Sequence, residues 1–205
     1  MATRWYQEKK REHFYKEAKR VGYRARSAFK LLQIQQKFHV ITKGDLVVDL
    51  GAAPGGWSQV AQDLVGPQGR VIGIDVSSIQ PLEGGHTQFL RGDLTDPLSL
   101  ERLREALHGR HADVVISDMS PDISGTYSVD QARSIWLCEH ALKVARALLK
   151  PNGHFVCKVF EGEDLKHFRE DVQQSFSLVK HYSPEASRKS SSEIYIIAKT
   201  FHQIE

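Results

Sequence analysis

The sequence predicts an α/β fold: a seven-stranded, mostly parallel sheet, closed by an antiparallel strand pair, with helices on both faces. Three observations carry this. Val- and Ile-rich runs of strand length recur from Leu46 onward, amphipathic stretches of helical length separate them, and glycine- and proline-containing stops punctuate the boundaries.

The elements follow in order. Residues 46–50, 70–76 and 113–118 are apolar on both alternating sets of positions, as strands buried on both faces are. Residues 87–90, ahead of Arg91-Gly92-Asp93, and residues 154–160 add two more strands. Helices fit at about 57–65, 99–108, 130–149 and 163–176, with Gly66-Pro67-Gln68-Gly69 and Lys150-Pro151-Asn152-Gly153 as stops. Residues 178–182 and 193–199, joined by a Ser-rich loop, predict the antiparallel pair. Ligands of such sheets bind beyond the carboxyl ends of the strands. Asp49, Asp75, Asp93, Asp118 and Lys158 stand at or near that end of five strands.

The chain has 205 residues, 40% of them hydrophobic and 26% charged, which suits one globular domain and excludes a fibrous or wholly disordered chain. No apolar run approaches the roughly 18 residues of a membrane span, and the charged first residues lack a signal-peptide core. Cys138 and Cys157 cannot build a disulfide framework, so a reducing, cytoplasmic setting is expected. The net charge of +3 hides an asymmetry: residues 1–43 carry +9 and the remainder −6. That divides the chain into a basic, helical N-terminal extension (1–43) and a main body (44–205). The extension holds Trp5, Tyr6, Phe14, Tyr15, Tyr23 and Phe29 among its cations. Cations that displace counterions from phosphates, mixed with rings that stack on unpaired bases, suit RNA; a solvated basic helix fits equally. Membrane and DNA partners are not expected, and neither is a stable oligomer. His108 and His111, the only close histidine pair, lack ligands at metal spacing, so no metal is expected.

Asp49-Leu50-Gly51-Ala52-Ala53-Pro54-Gly55-Gly56-Trp57 follows the first strand and opens a helix. It departs from G-x-G-x-x-G, and Pro54 gives up an N–H that a diphosphate would use. Asp75 suits a ribose diol, and Asp93 an exocyclic adenine amine. A nucleoside pocket with no evident phosphate site fits S-adenosylmethionine better than NAD. Each acid taken alone could equally cap a loop.

Asp118-Met119-Ser120-Pro121 and Lys158-Val159-Phe160-Glu161-Gly162 end the fourth and fifth strands. With Asp49 to Trp57, Ser192-Glu193-Ile194-Tyr195 and Gly22-Tyr23-Arg24-Ala25-Arg26-Ser27-Ala28-Phe29-Lys30-Leu31, they resemble the RrmJ/FtsJ family of RNA ribose 2'-O-methyltransferases, over about residues 15–197. The resemblance implies a Rossmann-like, S-adenosylmethionine-dependent methyltransferase fold and a tetrad of Lys30, Asp118, Lys158 and Glu193. It also implies that Gly51, Gly55, Trp57, Asp75, Asp93 and Asp118 surround the cofactor. Ser120 and Asp122 depart from the family's frequent Ala and Asn.

Spacing alone picks out neither Lys30 nor Glu193. Lys30 shares a polar stripe with Arg26, Gln33 and Lys37, which reads as a solvated helix face, and Glu193 reads as an edge charge. Lys158 is expected to hold a ribose hydroxyl during in-line methyl transfer, and two versions stay open: a neutral base, or a protonated stabiliser of developing alkoxide. The resemblance favours a uridine of large-subunit (23S-type) ribosomal RNA. A tRNA anticodon-loop ribose, a messenger cap and a non-catalytic RNA-binding assembly factor are the alternatives.

Overall fold

The computed structural model describes residues 16–187 and 192–203. Trp5, Tyr6, Lys9, Lys10, Arg11, Phe14 and Tyr15 of the basic extension, and Arg188 and Lys189 in the Ser-rich loop before Glu193, which the sequence reads as a further part of the basic surface, lie outside the described residues. A helical stretch over residues 16–21 precedes α1 (Ala28–Phe38). Then come β1 (Leu46–Leu50), α2 (Gly56–Val65), β2 (Arg70–Asp75), β3 (Thr87–Arg91), α3 (Pro97–Ala106) and β4 (Ala112–Ser117). α4 (Tyr127–Leu148), β5 (Leu149–Phe160), α5 (Leu165–Gln173), β6 (Phe176–Tyr182) and β7 (Glu193–Phe201) complete the chain.

The seven strands lie in the order β3-β2-β1-β4-β5-β7-β6. β1 pairs in parallel with both β2 and β4, so the chain winds outward in opposite directions from this pair. The carboxyl ends of β1 and β4 therefore flank the topological switch point, where such sheets open a crevice. β7 runs antiparallel between β5 and β6. It is an interior strand, so the edge-charge reading of Glu193, its first residue, does not hold.

Side-chain alternation sorts the core into two layers. Val47, Ile116, Val156 and Ile197 point to one face and pack with Ala28, Leu31 and Ile34 of α1 and Val60 of α2. Val48, Val115, Phe155 and Ile196 point to the other, under α3, α4 and α5. The amphipathic pattern of α1 thus seats residues 28–38 of the extension on the sheet itself. Lys199 Nζ closes the helix by donating to Phe38 O at 3.0 Å, satisfying a terminal carbonyl.

Several boundaries shift by two or three residues from expectation, and two differences have a clear physical reason. β5 begins at Leu149: Ala112 pairs with Leu149, the register shifts, and regular pairing resumes at Val114–His154. Lys150-Pro151-Asn152-Gly153 is therefore an irregular insertion within the pairing, with Asn152 at φ 65°. α5 stops at Gln173, because Phe176 is needed in the core, where its ring meets Phe155 at 6.0 Å and Phe201 at 5.4 Å. Among the described residues no helix is long and apolar enough to cross a membrane.

A candidate active site at the strand ends

Strand parity brings the first group of side chains together. Lys158 faces Tyr195 across the β5–β7 ladder, and Phe160 faces Glu193 two residues on, so all four side chains emerge on the α1/α2 face. Ser117 pairs with Cys157, which places the next residue, Asp118, beside Lys158 on that same face. α1 covers this face and delivers Lys30, which is only 4% exposed. Its ammonium bonds Glu193 Oε1 and stands 5.7 Å from the centre of the Tyr195 ring. The solvated-stripe reading therefore fails at Lys30. Its neighbours on the stripe are engaged too: Gln33 Oε1 accepts from Ala186 N at 3.1 Å, and Lys37 Nζ lies 4.5 Å from the Tyr182 ring centre.

Asp118 is the hub. Lys158 Nζ donates to its main-chain oxygen at 2.5 Å and lies 3.2 Å from its Oδ1, while the Tyr195 hydroxyl donates to the same Oδ1 at 2.6 Å. Trp57 stacks on Tyr195 at 5.6 Å between ring centres, and its Nε1 donates to Ser27 O at 2.9 Å. The tyrosine ring is thus wedged between Trp57 and Lys30. Burial drives the Tyr195 phenol well above its ordinary value, helped by the negative charges of Asp118 and Glu193, so it stays a donor. Burial pushes the Glu193 carboxyl up, but Lys30 beside it, with Lys158 beyond, outweighs that and holds it below the ordinary carboxylate value.

The second feature is a cleft of about 450 Å³ at the switch point, lined among others by Gly51, Asp75, Asp93, Asp118 and Met119. The Asp75 carboxylate is held by two main-chain donors, Ala53 N at 3.0 Å and Ser77 N at 2.8 Å. Asp93 Oδ1 accepts from Thr95 N at 2.9 Å and Thr95 Oγ1 at 2.8 Å, and those bonds hold its carboxyl below the ordinary value. At Gly51, with φ +72°, an added Cβ would come within 2.4 Å of Met119 Cγ, so the loop meets the β4 end only as bare backbone. Asp49 is wholly buried beneath this loop; Ser58 Oγ donates to its Oδ2 at 2.6 Å, and Oδ1 has no partner among the described residues. Burial pushes its carboxyl up to about 7, with the charges of Asp118 and Asp75 adding to the shift.

The fold thus gathers Lys30, Asp118, Lys158 and Glu193 into one buried cluster, and sets Gly51, Asp75, Asp93 and Asp118 around the cleft. Gly55 and Trp57 do not line it: Arg24 packs beside Gly55, and Trp57 packs behind Tyr195. Two contributors are not singled out as site residues by the sequence. Tyr195 ends the Ser192-Glu193-Ile194-Tyr195 motif, but nothing in the motif assigns it a role. His140, reaching the cleft from α4 with its Nδ1 2.8 Å from Trp136 O, carries no local signal.

Comparison with known proteins identifies the family and the fold. The FtsJ-like methyltransferase model matches residues 23–201. Curated relatives named Ribosomal RNA large subunit methyltransferase E include those of Methanothrix thermoacetophila, 53% identical over 92% of this chain and 72% of the relative, and Halorubrum lacusprofundi, 51% identical over 92% and 70%. The relative from Alkalilimnicola ehrlichii is 47% identical over 98% of this chain and 95% of its own length. Among solved structures, a chain from Plasmodium falciparum described as a ribosomal RNA methyltransferase superposes with a TM-score of 0.78 at 24% identity, over 87% of this chain and 98% of that one, a likeness of fold. With the family model spanning all seven strands and relatives near half identity along the whole body, the chain belongs to the FtsJ-like methyltransferase family.

Proposed function

We propose that the protein transfers a methyl group from S-adenosylmethionine to a ribose 2'-hydroxyl in RNA, at a uridine of large-subunit ribosomal RNA. One observation carries the reading: Asp118 belongs both to the buried Lys30–Glu193–Tyr195–Lys158 cluster and to the lining of the cleft, so a cofactor in the cleft and a sugar at the cluster would meet there. The ribosomal substrate rests on the name borne by the relatives.

The cleft suits the cofactor. Its volume of about 450 Å³ falls within the usual range of small-molecule sites. Asp75, already fixed by two main-chain donors, keeps lone pairs for a ribose diol, and Asp93 Oδ2 can accept from an adenine amine. The bare backbone at Gly51 admits close approach. When bound, S-adenosylmethionine supplies a methyl carbon activated by a sulfonium leaving group.

The chain's own side chains position the acceptor. Lys158 Nζ spends two directions on Asp118 O and Oδ1, which leaves a third for the sugar oxygen. In a neutral amine that third direction is a lone pair able to take the 2'-hydroxyl proton; in an ammonium it is an N–H that stabilises the developing alkoxide. Both versions need the same geometry. Lys30, held against Glu193, adds positive charge beside the attacking oxygen. The basic extension (1–43) supplies the phosphate contacts that bring RNA to this end of the sheet.

The test offers ribosomal subunits and total tRNA separately with methyl-labelled cofactor and maps the modified ribose. Label at a 2'-O-methyl uridine of large-subunit RNA is expected. Label confined to tRNA would overturn the substrate assignment, and no transfer to any RNA would overturn the activity.

A further inference from the structure

Arg24 belongs by sequence to the basic extension, whose cations suit RNA phosphates or a solvated helix equally on charge pattern alone. Its guanidinium is already engaged elsewhere. Nη1 donates to Pro54 O at 3.3 Å and to Gln80 O, and Nη2 donates to Pro81 O at 2.6 Å. The main chain is fastened as well: Arg24 N donates to Gln59 Oε1 at 2.7 Å, and Gln59 Nε2 donates to Gly22 O at 3.0 Å. Gly55, at φ +109°, makes room, since a Cβ there would lie 3.0 Å from Arg24 Nη1 and 3.2 Å from its Cδ.

The carbonyls that Arg24 binds belong to two loops. Pro54 follows Ala53, whose N–H holds Asp75 Oδ2; Gln80 and Pro81 follow Ser77, whose N–H holds Asp75 Oδ1. Each loop therefore donates one main-chain bond to the Asp75 carboxylate, and the two are tied together by one planar fork from Arg24, which does not itself line the cleft. A guanidinium can do this because its N–H groups diverge rigidly in one plane; an ammonium on a flexible stem cannot span the same carbonyls.

We propose that Arg24 is a positioning residue for the cofactor site: it clamps the 53–54 and 77–81 loops and so fixes the direction of the Asp75 carboxylate, rather than binding RNA phosphate. This rests on the reading of the cleft as a site for S-adenosylmethionine. It also places Gly22 to Arg24, midway along the extension, in mechanical contact with the cofactor loop.

The full chain, Arg24→Ala and Arg24→Lys are titrated with S-adenosylhomocysteine by calorimetry and with a large-subunit ribosomal RNA transcript at several salt concentrations. Loss of a supporting partner of this kind weakens binding by about tenfold or more. Both variants are expected to show that loss for S-adenosylhomocysteine, with lysine giving no rescue and the RNA salt slope unchanged. In methyl-transfer assays KM for the cofactor rises while kcat at saturation stays near wild type. Unchanged cofactor affinity with a shallower RNA salt slope would make Arg24 a phosphate contact and overturn the proposal. A fall in kcat, cofactor affinity and thermal stability together, fully rescued by lysine, would overturn it too. If the unaltered chain binds no S-adenosylhomocysteine, the reading of the cleft fails first and the clamp fails with it.

Discussion

The hydroxyl of Tyr195 donates to Asp118 Oδ1 at 2.6 Å, joining an interior antiparallel strand to the end of a parallel one. The same carboxylate oxygen lies 3.2 Å from Lys158 Nζ, so the tyrosine helps decide where the amine sits. Tyr195→Phe keeps the ring between Trp57 and Lys30 and deletes only this bond. Stability should fall by about 1–2 kcal/mol in denaturant titrations. Methyl transfer should slow by about tenfold with cofactor affinity intact; an unchanged rate would show that Asp118 needs no such support.

Lys158→Ala should lower kcat by a factor of about 100 or more while S-adenosylhomocysteine still binds, because the variant loses the group facing the sugar and spares the cleft. Near wild-type methylation of ribosomal RNA by this variant would remove Lys158 from the chemistry.

Lys30 and Glu193 form a pair whose side chains are only 6% and 14% exposed. Removing one partner strands the other's charge, so Lys30→Met should cost about 3–5 kcal/mol. Lys30→Met combined with Glu193→Gln should recover much of that loss without recovering activity. A double variant no more stable than the single one would show the pair to be uncoupled.

Asp49 and Glu193 give pH dependences of opposite sign. The Asp49 carboxyl, raised to about 7 in the fold from 3.8, binds a proton that the unfolded chain has released, so stability falls as pH rises between those values, by about 4 kcal/mol in total. Glu193 is lowered, so its contribution is present above about 4.5 and is lost as pH falls through the folded value. Asp49→Asn should flatten the decline between about pH 4 and pH 7 measured by chemical denaturation. A slope matching wild type would mean that Asp49 is ionised in the fold.

Replacing Lys9, Lys10 and Arg11 together, outside the described residues, should make RNA affinity fall less steeply with salt. The slope should drop by about 0.7 for each phosphate these cations neutralise. Cofactor titration should be unaffected. A salt slope equal to that of the parent would leave these three cations without a part in RNA binding.

Much of this molecule is written locally. Runs such as 46–50 and 113–118 carry apolar residues on both alternating sets of positions, as a strand covered on both faces does, and the glycines and prolines between them fix the breaks. Asp75, Asp93, Asp118 and Lys158 could be placed at one end of the sheet because every parallel strand presents its carboxyl end to the same side. Lys30 and Glu193 entered only through resemblance to a family. On the chain they read as a surface stripe and an edge charge; Tyr195 and Arg24 stand inside motifs that state nothing of their contacts, and no local pattern announces His140.

Tertiary structure decided those five because each depends on which elements become neighbours. β7 inserts between β5 and β6, which makes Glu193 an interior residue and aligns Tyr195 with Lys158; α1 then closes over both and buries Lys30. The period of a strand states which side of a sheet a residue faces. What it faces there is set by crossovers and strand order, which bring Lys30 to Glu193 across 163 positions of chain.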